Sequence, residues 1–134
     1  MPDLQTTNLQ TLDQRRAANA LRLVKSLKES GKYAKYPSYV KSLPATVLQN
    51  GLGQALATLL AAAKGDTSDA HHLLYSHLHQ WLCSDTDDAV FRAAPDVLEA
   101  ITQHEEKQYL HAQAESLAYL EWLKKFAVAY LSSE

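Results

Sequence analysis

The chain has 134 residues, a formal net charge of −2 at pH 7, four glycines and a single cysteine. This length suits one domain that buries its own core, and the single cysteine excludes an internal disulfide and indicates a reducing compartment. The opening residues lack the basic and apolar segments of a secretory signal, and no apolar run is long enough for a membrane span, so the sequence predicts a cytoplasmic protein.

The charge is unevenly distributed along the chain. Residues 15–64 carry nine basic side chains and one acidic side chain, whereas residues 65–134 carry four basic and twelve acidic ones. A chain with this polarity can attract a polyanion on one side and a basic partner on the other. The alternative is that both halves are ordinary solvated surfaces, and charge alone does not decide between the two.

Strong helix formers, with few glycines and prolines, predict an all-α fold. We expect one domain over residues 1–134, a compact bundle of about five to six helices whose first eight to ten residues form a flexible tail. The first helix is predicted from about Asn8 to Ser30, and Gly31 is predicted to end it.

A connector is predicted from Lys32 to Pro37, because the residue before a proline is disfavoured in helical geometry. Ser42 is then expected to cap the second helix, with Pro44 in its first turn.

The apolar stretch LPATVLQNGLGQALATLLA contains a glycine corner, formed by Asn50, Gly51 and Gly53. Asn50 and Gly51 suit a left-handed C-cap that ends one helix and lets another start at a changed angle. Gly53 removes a Cβ near that start, either for close helix packing or for close approach of a backbone or ligand. The spacing does not match a phosphate-binding loop.

Three further helices are predicted after Gly65, which ends the alanine-rich segment. Thr67 or Ser68 is expected to cap a helix through AHHLLYSHLHQWLCS, and SDTDDAV is predicted to be a loop that leads into a new N-terminus. Pro95 fits the first turn of a short helix, and a long C-terminal helix is predicted from about Glu105 to Leu131.

The candidate ligand-binding side chains in this half have structural explanations. Trp81 and Trp122 lie among leucines at helical spacing and are predicted core residues, although indoles can also stack on bases. The six histidines include no HExxH pair, and Asp85, Asp87 and Asp88 lack the glycine and the final glutamate of a calcium loop. The sequence therefore predicts no metal site and no cofactor.

Five basic side chains form the candidate nucleic-acid site. Arg15, Arg22 and Lys25 fall within an arc of about 80° on the first helix, at 100° per residue. Arg16 and Lys41 complete the set. Such groups contact phosphates without reading base edges, and salt-dependent binding requires several of them.

The glycine corner also carries a resemblance to a known family. The chain resembles the small subunit of the Cmr complex, the type III-B CRISPR–Cas effector, most clearly in the segment YPSYVKSLPATVLQNGLGQALATLL. The resemblance continues before it in RRAANALRLVKSLKESGKYAKY and after it in LYSHLHQWL and ESLAYLEWLKKFAVAYL. The resemblance covers about residues 12 to 131, apart from the loop near Ser84 to Pro95. Thr58 departs from the pattern, since many members carry an aromatic residue there.

The resemblance implies a non-enzymatic protein without cofactors that takes part in antiviral defence. In the family, several copies stack into a filament beside backbone subunits that hold the guide RNA, and the small subunit supplies a basic wall along the guide–target duplex. The implied partners are the backbone and large subunits, further copies of the chain, and guide and target RNA, with no membrane and no small-molecule substrate.

The acidic half is expected to meet a basic face of the next subunit, through side chains that include Asp96, Glu115 and Glu121. Glu121 can instead pair with Lys125 at i, i+4.

Two alternative functions remain. One is a helix-turn-helix DNA-binding protein with LPATVLQNGLGQALATLL as its two helices, although the second helix lacks the arginine, lysine or asparagine side chains that read base edges. The other is a helical scaffold that holds subunits together without RNA contact.

Overall fold

The computed structural model describes residues 10–131, and six α-helices occupy most of that range. In chain order they are α1 (Leu12–Ser30), α2 (Tyr36–Asn50), α3 (Leu52–Ala63), α4 (Ala70–Cys83), α5 (Val97–Gln103) and α6 (Glu106–Leu131). The described residues contain no strand, which confirms the predicted all-α bundle and its long C-terminal helix. The helix start predicted near Asn8 and the expected N-terminal tail lie outside the described residues.

The long helix α6 supports the rest of the bundle. Helices α1 and α2 pack along it, while α3 and α4 pack on each other and on α2. Each of the five longer helices contributes fully buried side chains, among them Val24, Val40, Leu56, Leu78 and Leu120. No helix within residues 10–131 is both long enough and apolar enough to cross a lipid bilayer.

The two ends of α1 follow local sequence rules. Thr11 forms a capping box, in which the backbone N–H of Gln14 donates to Thr11 Oγ1 at 3.0 Å and the backbone N–H of Thr11 donates to Gln14 Oε1 at 2.8 Å. Gly31 ends the helix, as predicted, and adopts a left-handed conformation with φ 71° and ψ 5°, in which its N–H donates to the Leu27 carbonyl.

The start of α2 differs from the prediction. The helix begins at Tyr36 and takes Pro37 into its first turn, where the missing N–H breaks no helical hydrogen bond. Pro44 lies inside the helix rather than in its first turn. Ser42 is also inside, and its hydroxyl donates to the Tyr39 carbonyl at 3.2 Å instead of capping a helix end.

Aspartates cap α4 and α5. Asp69 accepts a hydrogen bond from the backbone N–H two residues on, so it caps α4 in place of the predicted Thr67 or Ser68. Asp96 accepts from the backbone N–H three residues on and caps α5, which places Pro95 before the cap rather than in the first turn. Several adjacent Ser, Thr and Asp residues can cap a helix, and the preceding loop decides which one does.

A buried tyrosine–histidine pair joins α2 to α4. Tyr36 Oη lies 2.6 Å from His77 Nδ1, and the two rings meet edge to face. Burial lowers the pKa of His77 to about 4, because the interior does not hydrate the imidazolium cation.

We expect acid to destabilise the fold through His77. The pKa of this imidazole is about 4 in the folded chain and about 6.5 in the unfolded chain, so between these values the unfolded chain binds the proton more tightly. The free energy of unfolding therefore falls as the pH falls, by about 2 kcal/mol from this group between pH 7 and pH 5. Urea unfolding at both pH values measures it. Between pH 7 and pH 5, His77→Gln is expected to lose less free energy of unfolding than the wild type and than His111→Gln, a control at an exposed site. Equal losses in all three proteins would contradict the lowered pKa of His77.

Candidate nucleic-acid interface

Helix α1 presents an open basic face to solvent. Arg22 and Lys25 are exposed on it, and Ala18, Leu21 and Ser26 lie beside them. Glu29 lies at the end of the same face. No carboxylate within residues 10–131 forms an ion pair with Arg22 or Lys25, and both charges are therefore available to a ligand.

Arg15, which shares this arc of α1, is held by a carboxylate of the chain. Its Nε donates to Asp88 Oδ2 at 2.7 Å and its Nη2 donates to Asp88 Oδ1 at 2.9 Å, a bidentate pair. A third donor, Nη1, reaches the Gln10 carbonyl at 2.6 Å. The guanidinium thus ties α1 to the loop between α4 and α5.

Arg16 lies at the centre of a largely buried polar network. It donates to both oxygens of Glu115, at 2.7 and 2.8 Å, and to Asp13 at 3.0 Å. These carboxylates raise the pKa of Arg16, with the Glu115 hydrogen bonds as the larger cause. The indole N–H of Trp81 donates to Glu115 at 2.8 Å, and that of Trp122 donates to Asp13 at 3.0 Å. Trp81 is buried in the core, whereas Trp122 is half-buried at its edge.

Glu115 is only 5% exposed, so the expectation that it meets a neighbouring subunit is wrong. Its partners are Arg16 and Trp81 of the same chain. The sequence contains a signal for this role, because Glu115 lies three residues after the buried Ala112 and four before the buried Tyr119. A carboxylate on a buried helix face requires an internal partner.

The remaining candidate cation, Lys41, is exposed on α2. No carboxylate within the described part of the chain pairs with it. Lys28 extends the basic surface of α1 towards the end of α6, where Lys25 Nζ and Lys28 Nζ lie 5.8 and 5.9 Å from the centre of the Tyr130 ring. These are cation–π distances, and they leave both ammonium groups at the surface.

The other two acidic side chains differ in their availability. Asp96 caps α5 and accepts the Tyr75 hydroxyl at 2.7 Å, so its carboxylate is engaged within the chain. Glu121 is exposed and lies 3.9 Å from Lys124 and 4.0 Å from Lys125, which is the alternative pairing that the spacing allows. An exposed pair of this kind is weak and can exchange partners.

The glycine corner brings α3 against α6. Gly51 has φ 88° and ψ 156°, a region that only glycine adopts readily but not the predicted left-handed cap, and Asn50 keeps a negative φ. A Cβ built on Gly51 would lie 2.8 Å from Tyr109 Oη. On Gly53 a Cβ would make only ordinary contacts at 3.8 Å, to Ile101 and Tyr109.

Side chains of α6 also satisfy the first donors of α3. The backbone N–H of Leu52 donates to Gln113 Oε1 at 2.9 Å, and that of Gly53 donates to Tyr109 Oη at 3.1 Å. No side chain caps α3 at its own N-cap, Gly51, so α6 supplies partners that the local sequence lacks. The corner therefore serves helix packing within the chain.

These features define a class of protein: a small all-α bundle with an exposed cationic helix face. Within residues 10–131, no three His, Cys, Asp or Glu side chains come together in a way that could hold a metal ion. The family model described as CRISPR-associated protein (Cas_Cmr5) matches residues 12–130, and the chain belongs to this family.

A sequence match and a structural match, both from Thermus thermophilus, agree with this membership and with the resemblance to the Cmr small subunit. The CRISPR system Cmr subunit Cmr5 is 35% identical over 96 residues, which cover 72% of this chain and 75% of the relative. The X-ray crystal structure of a CRISPR-associated Cmr5 family protein from the same species matches with a TM-score of 0.73 at 29% identity, over 92% of this chain and 100% of that chain.

Proposed function

We propose that the chain is the non-catalytic small subunit of a type III-B CRISPR–Cas (Cmr) effector complex in the cytoplasm, and that its α1 face contacts RNA. Membership in the family supports assembly with other Cmr subunits, because the Thermus relative is itself a Cmr subunit. The observation that carries the RNA contact is the exposed pair Arg22 and Lys25, which has no carboxylate partner in the described part of the chain.

The chemistry of this face fits an RNA-guided machine. Guanidinium and ammonium groups bind phosphates of any sequence, and the guide supplies the sequence specificity by base pairing. Two or three cations in one copy bind weakly. Several copies stacked along one duplex would bind through a raised effective concentration, which makes the assembly tighter than its parts. Arg15 and Arg16, held by internal carboxylates, stabilise the fold in this account.

Replacement of the α1 cations tests the proposal. We expect Arg22→Ala/Lys25→Ala to leave the reconstituted Cmr complex assembled, to weaken its binding of target RNA, and to reduce the salt dependence of that binding by about one unit of slope for each lost phosphate contact. Filter binding at several salt concentrations measures this effect. The matched control Lys107→Ala/Lys125→Ala removes two exposed lysines of α6 and should change neither quantity. Lys41→Ala, on a different helix, is measured separately.

The outcomes separate the alternatives. Unchanged RNA affinity and protection in an intact complex would support a scaffold without RNA contact. A sequence-selective shift of duplex DNA by the isolated chain would support a helix-turn-helix protein. The composition of α3 counts against that second alternative, because Leu52–Ala63 contains no arginine, lysine or asparagine.

A further inference from the structure

A second basic surface, which also carries aromatic rings, lies where α1 gives way to α2. We call it the connector groove, and the side chains that matter in it are Lys32, Tyr33, Lys35 and Tyr39. Both lysines are exposed and both tyrosines are half-buried. No carboxylate within residues 10–131 forms an ion pair with either lysine, although Asp69 also lines the groove.

The ring of Tyr39 is held in place by a chain of contacts. It stacks on the His71 ring with centroids 3.7 Å apart and an angle of 19° between the planes. His71 Nδ1 lies 2.8 Å from Asp69 Oδ1, and the same carboxylate oxygen accepts the backbone N–H of His71. The Asp69 charge is thus directed towards α4, and the Tyr39 ring can receive a ligand only on the face turned away from His71.

The connector groove is continuous with the α1 face. A neighbouring concavity shares Lys32 and Ser68 with the groove and shares Ser26 with the surface around Arg22 and Lys25. The two basic surfaces are therefore connected through Ser26 and Ser30, with the exposed Glu29 at the end of the α1 face beside this path.

We infer that the connector groove is a stacking site for one base of single-stranded RNA, with Tyr39 beneath the base and Lys32 and Lys35 on the flanking phosphates. Stacking on an aromatic ring is tolerant of sequence because every base has a π face. A base inside an A-form duplex is already stacked on its neighbours, so the groove selects single strands, whereas the α1 face contacts the backbone of either form. The inference rests on the proposed function only for the source of the RNA.

The test uses the full-length isolated chain with 13C-labelled tyrosines and the oligonucleotide hexa-adenylate. We expect hexa-adenylate to move the Tyr39 ring resonances upfield, as stacking requires. Tyr39→Leu is expected to weaken its binding about tenfold while Tyr39→Phe retains it. Inorganic polyphosphate, which has no bases, should bind Tyr39→Leu as it binds the wild type. Lys32→Ala/Lys35→Ala should weaken the binding of both hexa-adenylate and polyphosphate. A fully paired RNA duplex should leave the Tyr39 ring resonances where they are in the free chain.

Each contrary result overturns the inference. Equal binding of hexa-adenylate to Tyr39→Leu and wild type would exclude stacking, and equal binding to Lys32→Ala/Lys35→Ala would exclude the groove as an RNA site. The lysine variant changes only exposed side chains, so the test stands even if Tyr39→Leu does not fold. If Tyr39→Leu does not weaken hexa-adenylate binding while Arg22→Ala/Lys25→Ala still weakens RNA binding by the complex, only the inference is overturned. If Tyr39→Leu weakens hexa-adenylate binding while Arg22→Ala/Lys25→Ala leaves RNA binding by the complex unchanged, only the proposed function is overturned.

Discussion

Glu115→Ala is expected to lower the free energy of unfolding by about 4 kcal/mol. The substitution leaves the guanidinium of Arg16, whose side chain is 17% exposed, without its main counter-charge. It also leaves the buried indole N–H of Trp81 without an acceptor. Both groups are desolvated by the fold, so neither recovers its full hydration when the carboxylate is removed.

Urea unfolding monitored by circular dichroism measures the Glu115→Ala effect. The control is Glu121→Ala, which removes an exposed glutamate of the same helix and should cost no more than about 0.5 kcal/mol. Arg16→Met/Glu115→Leu removes both charges and should recover part of the loss, because no uncompensated charge then remains buried. A cost of Glu115→Ala as small as that of the control would show that the network contributes little.

Gly51→Ala is expected to cost about 3 kcal/mol. Its backbone, at φ 88° and ψ 156°, lies in a region that residues with a side chain enter only with strain. Its new Cβ would also lie 2.8 Å from Tyr109 Oη, the group that accepts the Gly53 N–H. The substitution therefore strains the corner and pushes away the side chain that satisfies the start of α3.

The matched control for Gly51→Ala is Gly31→Ala. Gly31 also has a positive φ, 71°, but a Cβ there meets nothing within 4 Å among residues 10–131, so we expect a cost of only about 1 kcal/mol. Gly51→Ala/Tyr109→Phe removes the hydroxyl that the new Cβ would meet. The double variant therefore separates the steric part of the Gly51→Ala cost in free energy of unfolding from the part caused by backbone strain. Equal costs at Gly31 and Gly51, measured by thermal or urea unfolding, would contradict the role of the Tyr109 contact.

The helices themselves can be predicted because their signals are local. Periodic leucines, glycines at positions 31 and 51, and the uninterrupted pattern near the C-terminus mark where most helices begin and end. The capping residues of α4 and α5 are harder to predict, because neighbouring Ser, Thr and Asp residues can all cap a helix. The predicted connector wrongly includes Pro37, because proline's effect on the preceding residue competes with its preference for the first turn of a helix.

The candidate site can be predicted only in part, because its outcome depends on residues far apart in the chain. Helix geometry places Arg15, Arg22 and Lys25 on one arc, but their partners in the structure differ. Arg15 pairs with a carboxylate, whereas no carboxylate within residues 10–131 pairs with Arg22 or Lys25. Arg15 meets Asp88, 73 residues away, and Arg16 meets Glu115, 99 residues away. Spacing along one helix cannot reveal such pairs. The burial of Arg16 and Glu115 is easier to predict, because Arg16 lies on the apolar stripe of α1 and Glu115 lies on the buried face of α6.

Purification of the tagged chain from its native host, followed by sequencing of the bound RNA, tests the proposed role most directly. We predict that other Cmr subunits co-purify with the chain, together with short guide RNAs that share a common 5′ tag. A preparation that contains neither large partner subunits nor nucleic acid would contradict the proposed role.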